Sequence, residues 1–266
     1  MELLLQAGVF PGHTKETLKD LRYFTIDSEA DLNKKWPLVL SQRPDFIKTF
    51  LWRSDEFERR KADPAAGFQK GLDPRLLAKI VERAHEGQMR VSTHIVSNAD
   101  FHNALSAGVD EIAHIPQVDT EPLSVEDTIL AATRGVVVDT TVLSPLVPLV
   151  KFRALREADV PAVRRAQMAD LKLLAACGVR LAVGSDSADD TSVAEFLYLK
   201  NLGIFDNLTL LKMWTETAQT IAPGRKIGVL SEGYEASFLA LRGNPLDDLE
   251  NVRKIQFRFK QGVPLQ

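Results

Sequence analysis

Short strand-like segments alternate with helix-like segments along most of this chain, and no other feature restricts its fold as tightly. RYFTI (22–26), DFIKTFL (45–51), RVSTHI (90–95), EIAHI (111–115), VVVDTTV (136–142) and RLAVGS (180–185) read as strands. Helix signals stand between them. Ser28 with Asp31, and Ser124 with Asp127, have the spacing of capping boxes. Asp73-Pro74 offers an N-cap followed by a proline at the first helical position. Leu76, Leu77, Ile80, Val81 and Ala84 then recur at helical spacing, with Gly87 placed to end the helix. ADFHNALSAG reads as a short helix, and a charged loop spans about 53–72. A loop holds Pro145 and Pro148. Further helices run from about 160 to Gly178, from Thr191 to Asn201 and from Asn207 to Ile221. EASFLALRGNP and KIQFRFKQG read as closing strands. Strand alternating with helix predicts a mainly parallel α/β sheet with right-handed crossovers.

A doubly wound sheet and a barrel both satisfy that pattern. No Gly-x-Gly-x-x-Gly follows a strand, so a dinucleotide site is not supported. Four residues favour the barrel, because each closes a different strand: Lys48, His94, His114 and Asp186. An open sheet gathers its functional groups at one switch point, whereas a barrel draws them from several strand ends.

Each of the four carries a specific chemistry beside a plainer alternative. Period-2 alternation puts Phe46, Lys48 and Phe50 on one face and Ile47, Thr49 and Leu51 on the other. Both faces are apolar, as in a strand buried on both sides, and burial favours a neutral amine. A neutral amine reacts with CO₂ to give a carbamate, an oxygen ligand able to bridge two metals. The alternative is a lysine that snorkels to the sheet edge. His94 and His114 stand one βα unit apart, so in a barrel they would converge from neighbouring strands. Two neutral imidazoles with an anionic oxygen suit Zn²⁺ and related divalent ions. Core histidines bonded to backbone are the alternative. Asp186 could ligate a metal and accept a proton from water, or serve a turn. Asp189 and Asp190 fit as caps of the following helix. His85 reads as solvent-facing, His102 as structural, and His13 as a loop residue able to contact substrate.

Composition narrows the function classes. The formal charge of −3 over 266 residues argues against nucleic-acid and anionic-membrane partners. Cys177 is the single cysteine, so no internal disulfide framework exists, and it reads as a small core residue. No apolar run reaches the roughly 18 residues of a membrane span. MELLLQAGVF lacks the basic start and cleavage site of a signal peptide, so a cytoplasmic location is expected. No Gly-x-Ser-x-Gly occurs, which disfavours a serine hydrolase.

In order and spacing, Lys48, His94, His114 and Asp186 resemble the amidohydrolase superfamily, in the branch related to imidazolonepropionase and the zinc-dependent prolidases. RAHEGQMRVSTHI leading into ADFHNALSAGVDEIAHIP carries the likeness, as does IGVLSEGYEASFLALRGNPLDDLENV. The resemblance covers about Phe46 to Val252. It implies a TIM-barrel-like (β/α) metal-dependent hydrolase fold over 1–225 and strands of a small β-sandwich over 226–266. It implies one or two divalent ions, zinc first among them, and a small-molecule substrate with an amide, cyclic amide or dipeptide bond. His94 and His114 would hold one metal, a carbamate on Lys48 would bridge to another, and Asp186 would ligate that second ion and act as general base. No His-x-His pair of the family's kind occurs in the sequence, and the resemblance implies that the first one or two βα units are lacking with it. The resemblance therefore leaves a fragment, a decayed non-catalytic copy, or a homo-oligomer that covers the gap.

Overall fold

Helix α1 (Glu29–Ser41) starts where its polar residues dictate: Ser28 Oγ accepts the Asp31 N–H at 3.1 Å, and the Asp31 carboxylate reaches back to the Asp27 N–H at 3.2 Å. The structure, a computed structural model, describes residues 23–63, 66, 69–143, 146–151, 153–187, 190–222 and 224–265. They fall into two compact units, residues 1–119 and 120–266.

In the first unit, β1 (Phe46–Phe50), β2 (Arg90–His94) and β3 (Glu111–Ala113) run parallel, with β2 paired to both of the others. The register sets Lys48 opposite Ser92, Phe50 opposite His94, Ser92 opposite Glu111 and His94 opposite Ala113. A short helix α2 (Phe57–Lys61) lies in the connection after β1. Helix α3 (Pro74–Glu86) joins β1 to β2, and α4 (Asn98–Ala107) joins β2 to β3. The predicted stripe of α3 is the buried one: Leu76, Leu77, Ile80, Val81 and Ala84. Val91, Phe101, Leu105 and Ile112 complete this core with no exposed surface.

In the second unit, α5 (Val125–Arg134) precedes β4 (Val137–Asp139), which pairs parallel with β5 (Arg180–Ala182). Helices α6 (Val147–Lys151) and α7 (Val160–Ala176) lie between those strands. Helices α8 (Ser192–Leu202) and α9 (Asn207–Ile221) follow. A separate antiparallel sheet closes the unit, in the order β6 (Phe238–Leu241), β7 (Ile255–Lys260), β8 (Val263–Leu265). Phe238 and Phe259 stack across it at 4.6 Å.

Several expectations need correction. RYFTI is not a strand over its described residues: Tyr23 makes an isolated bridge and 24–26 are irregular. Among the described residues of the segment the pairing does not extend beyond the Tyr23 bridge. Gly87 ends α3 at φ −84°, and Gln88 takes the left-handed position at φ 57°. The Met89 N–H then bonds the Ala84 carbonyl at 2.8 Å, so hydrogen bonding outweighs glycine's preference there. The segment with Pro148 is helical rather than open loop. Thr191 caps α8 in place of the neighbouring aspartates. Cys177 is half-buried. The face of β1 bearing Phe46 and Lys48 is not dry: Phe46 is 48% exposed and Lys48 is solvent-exposed. Hydration of the ammonium is retained rather than lost. Among the described residues no helix is long and apolar enough to cross a membrane.

Truncating Leu77, fully buried in α3, should lower stability in urea unfolding by about 2–5 kcal/mol. Ile129→Ala, at a position 53% exposed, should change it by no more than about 0.5 kcal/mol.

Candidate metal centre

Three of the four strand-end residues meet in the first unit, because the parallel register places Lys48, Phe50, Ser92 and His94 on one face of the sheet. The His94 and His114 rings lie 4.7 Å apart between centroids with planes at 76°. Phe50 stacks on His94 at 4.4 Å, its ring within 6° of parallel, and Trp52 lies 6.2 Å away at 9°. Phe50 and Trp52 are themselves near-parallel at 5.8 Å. With Phe50 stacked on one face, the polar edge of the His94 imidazole is left for other interactions.

Electrostatics keep both rings neutral. Burial, then the charges of His114 and Lys48, holds His94 well below the usual imidazole range. Burial, then Lys48, pushes His114 down to about 3. His94 Nε2 is shut off from solvent and meets no hydrogen-bond partner among the described groups. A buried polar atom left so costs about 1–3 kcal/mol unless something meets it. A divalent metal is one group that does, since neutral imidazoles are its ordinary nitrogen ligands. The imidazole pair therefore fits such an ion. Among the described residues, however, no three His, Cys, Asp or Glu side chains converge on one point.

Lys48 Nζ donates to Ser92 Oγ at 3.0 Å, and Ser92 Oγ donates to Glu111 at 2.8 Å. Three strands are thus linked by side chains on the face that carries His94. His114 follows β3 with φ at +79°, a left-handed conformation that a β-carbon disfavours. Such outliers persist where surrounding structure enforces them.

Asp186 belongs to the second unit. It is exposed and follows β5 after Val183, Gly184 and Ser185, with φ at +47°. His13 lies outside the described residues. His85 is exposed and bonds Asp110 at 2.9 Å, and His102 is exposed on α4. Sequence reading missed Ser92, Glu111 and Trp52 as neighbours of this site. The period of two that aligned Lys48 with Phe50 extends to Trp52, so that residue had a signal. The Ser92–Glu111 bond depends on the register of β2 against β3, which no local pattern reveals.

The model of the amidohydrolase family matches residues 40–264 of this chain. Ochratoxinase of Aspergillus niger is 30% identical over 189 residues, which cover 67% of this chain and 38% of the ochratoxinase sequence. The matched segment thus spans well under half the length of that relative, and the whole chain about half. The crystal structure of the A. niger ochratoxinase superposes with a TM-score of 0.70 at 20% identity, covering 91% of this chain and 55% of the other. A Xaa-Pro dipeptidase gives 0.67 at 17% identity, covering 96% and 63%. Phenylurea hydrolase B gives 0.66 at 17%, covering 90% and 57%. These likenesses show the TIM-barrel-like α/β fold.

Stability should depend on pH through the imidazoles. Each is neutral when folded and, at a reference value of 6.5, binds a proton on unfolding in acid. Stability is therefore lost as pH falls from about 6.5 towards the folded value near 3. Urea unfolding of the metal-free protein should show a smaller loss between these limits in His114→Gln than in wild type. Equal slopes would contradict the assignment of a neutral, buried His114.

Proposed function

Because the chain belongs to the amidohydrolase family, we propose that it forms part of a metal-dependent hydrolase of small-molecule C–N bonds. The observation that carries this reading is the pair of neutral, nearly perpendicular imidazoles, His94 and His114, with the buried Nε2 of His94 open to a Lewis acid. Zn²⁺ suits these donors. His94 and His114 would hold it, and Lys48, as its carbamate, would supply an anionic oxygen beside them. A bound divalent ion supplies Lewis acidity to polarise the scissile carbonyl and activate water.

The chain's own groups then divide the remaining work. Neutral imidazoles present lone pairs without competition from protons down to mildly acidic pH. Asp186 is the proposed general base, its carboxylate taking the proton from the attacking water and passing it to the leaving nitrogen. His13 is the proposed substrate contact. The catalytic body would be residues 1–225, with 226–266 as accessory strands. A non-catalytic reading is favoured by the lack of a third converging His, Cys, Asp or Glu among the described residues.

Elemental analysis of protein purified from zinc-supplemented medium tests the first reading. Wild type is expected to retain bound metal, and His94→Ala and His114→Ala to lose it. Metal-free wild type, with Zn²⁺ affinity unchanged in both variants, would overturn the site. Asp186→Asn is expected to keep the ion held by His94 and His114 while slowing hydrolysis of a responsive substrate by about 10² or more. A Xaa-Pro dipeptide and a phenylurea form the starting panel. Metal binding with no turnover of amides, dipeptides or ureas would favour the non-catalytic reading.

A further inference from the structure

Asp100 is fully buried in the first turn of α4, and its carboxylate receives four backbone N–H groups. Oδ1 accepts from Ser54 at 2.7 Å. Oδ2 accepts from Arg53 at 2.9 Å, Val96 at 3.1 Å and Ser97 at 3.2 Å. A capping box requires only the bond to Ser97, whose hydroxyl completes the motif by accepting the Asp100 N–H. The other three go beyond the needs of the helix.

Their partners adjoin residues of the candidate metal centre along the chain. Arg53 and Ser54 follow Trp52, which stands near-parallel to both Phe50 and His94. Val96 stands two residues after His94. Its backbone is held on both sides: the N–H by Asp100, the carbonyl by the N–H groups of Gln117 at 2.8 Å and Val118 at 3.2 Å. Those two residues lie just beyond His114. One carboxylate thus ties the connection after β1 to the connection after β2, and through the single residue Val96 to the segment after β3. All three segments carry, or adjoin, a residue of the imidazole site. The N-terminus of α4 favours a negative charge at this position, and the four donors satisfy it without solvent.

We propose that Asp100 is the positioning residue of the imidazole pair. Its carboxylate holds the Phe50–Trp52 stack against the His94 ring and holds the segment bearing His114 in register with it. The loop geometry stands on observed bonds alone. The effect on metal binding rests on the proposed function.

Two readouts separate those layers. The first is the NMR shift of the His94 ring protons in metal-free protein, assigned through a His94→Gln variant. In wild type, ring currents from Phe50 and Trp52 should displace these signals from the values of a free imidazole. In Asp100→Asn that displacement should collapse, because an amide nitrogen would face backbone N–H groups. Leu105→Ala, a fully buried change on the same helix, supplies a comparable loss of stability and should keep the shift. Asp100→Glu guards against an Asp100→Asn protein that fails to fold. Glutamate suits a capping box, but its longer stem carries the carboxylate out of register with Arg53 and Ser54. It should therefore fold and still lose the shift. The second readout is calorimetric titration with Zn²⁺, where Asp100→Glu is expected to bind about tenfold or more weakly than wild type. A folded Asp100→Asn or Asp100→Glu protein with the wild-type His94 shift would overturn the proposal. Wild type that binds no Zn²⁺ would remove the metal reading, while the NMR comparison would still decide the role of Asp100.

Discussion

Buried carboxylates that collect loop N–H groups are the constraint on which the working end of this protein depends. A parallel strand satisfies its backbone groups through its neighbours, but the chain loses those partners once it leaves the strand. A buried N–H without an acceptor costs about 1–3 kcal/mol. Asp100 answers this in the first unit with four donors. In the second unit Glu195 accepts from Val142 at 2.8 Å and Leu143 at 2.7 Å, just past β4, and Asp170 accepts from Leu123 at 2.7 Å. Burial raises the Glu195 carboxyl above its usual range, a desolvation cost that its hydrogen bonds work against. Short strands of three to five residues can therefore end in well-defined loops.

The imidazole centre is built on that foundation by apolar rather than polar neighbours. Phe50 stacks on His94 with Trp52 beside both, and the burial of the two imidazoles keeps them unprotonated. Lys48 adds a positive charge that works in the same direction. Its amine stays exposed to water yet is bonded through Ser92 to Glu111, so it remains anchored on the face where the rings lie. Backbone strain accumulates beyond the strands too, at His114 and Asp186, both with positive φ. Arg43, Gln88, Arg153 and Gln261 share that positive φ away from the candidate site, so the strain is not confined to the segments that carry the chemistry.

Much of this was legible in the sequence, for reasons that differ between elements. Helix α3 was readable because a cap, a proline and a five-residue apolar stripe all agree. Helix α9 was read to its ends, Asn207 and Ile221, and the structure supplies the reason at its start, where Asp206 accepts the Thr209 N–H. RYFTI misled because alternation alone does not extend a single bridge at Tyr23 into a strand over 24–26. The exposure of Lys48 was missed because an apolar strand does not state which of its faces a neighbour covers. Asp100 was read only as a residue of the short helix ADFHNALSAG. Helical spacing gives no hint of the donors arriving from Arg53, Ser54 and Val96.

The sequence by itself determined the alternation of strand and helix, the family, and the placement of Lys48, His94 and His114 at or beside successive strand ends. Local periodicity and short motifs suffice for these, because each is set by residues a few positions apart. Tertiary structure decided which groups touch. The stacking of Phe50 on His94, the Lys48–Ser92–Glu111 bonds and the Asp100 clamp join residues 19 to 47 positions apart. Such contacts follow from strand register and loop closure, which exist only once the sheet has formed.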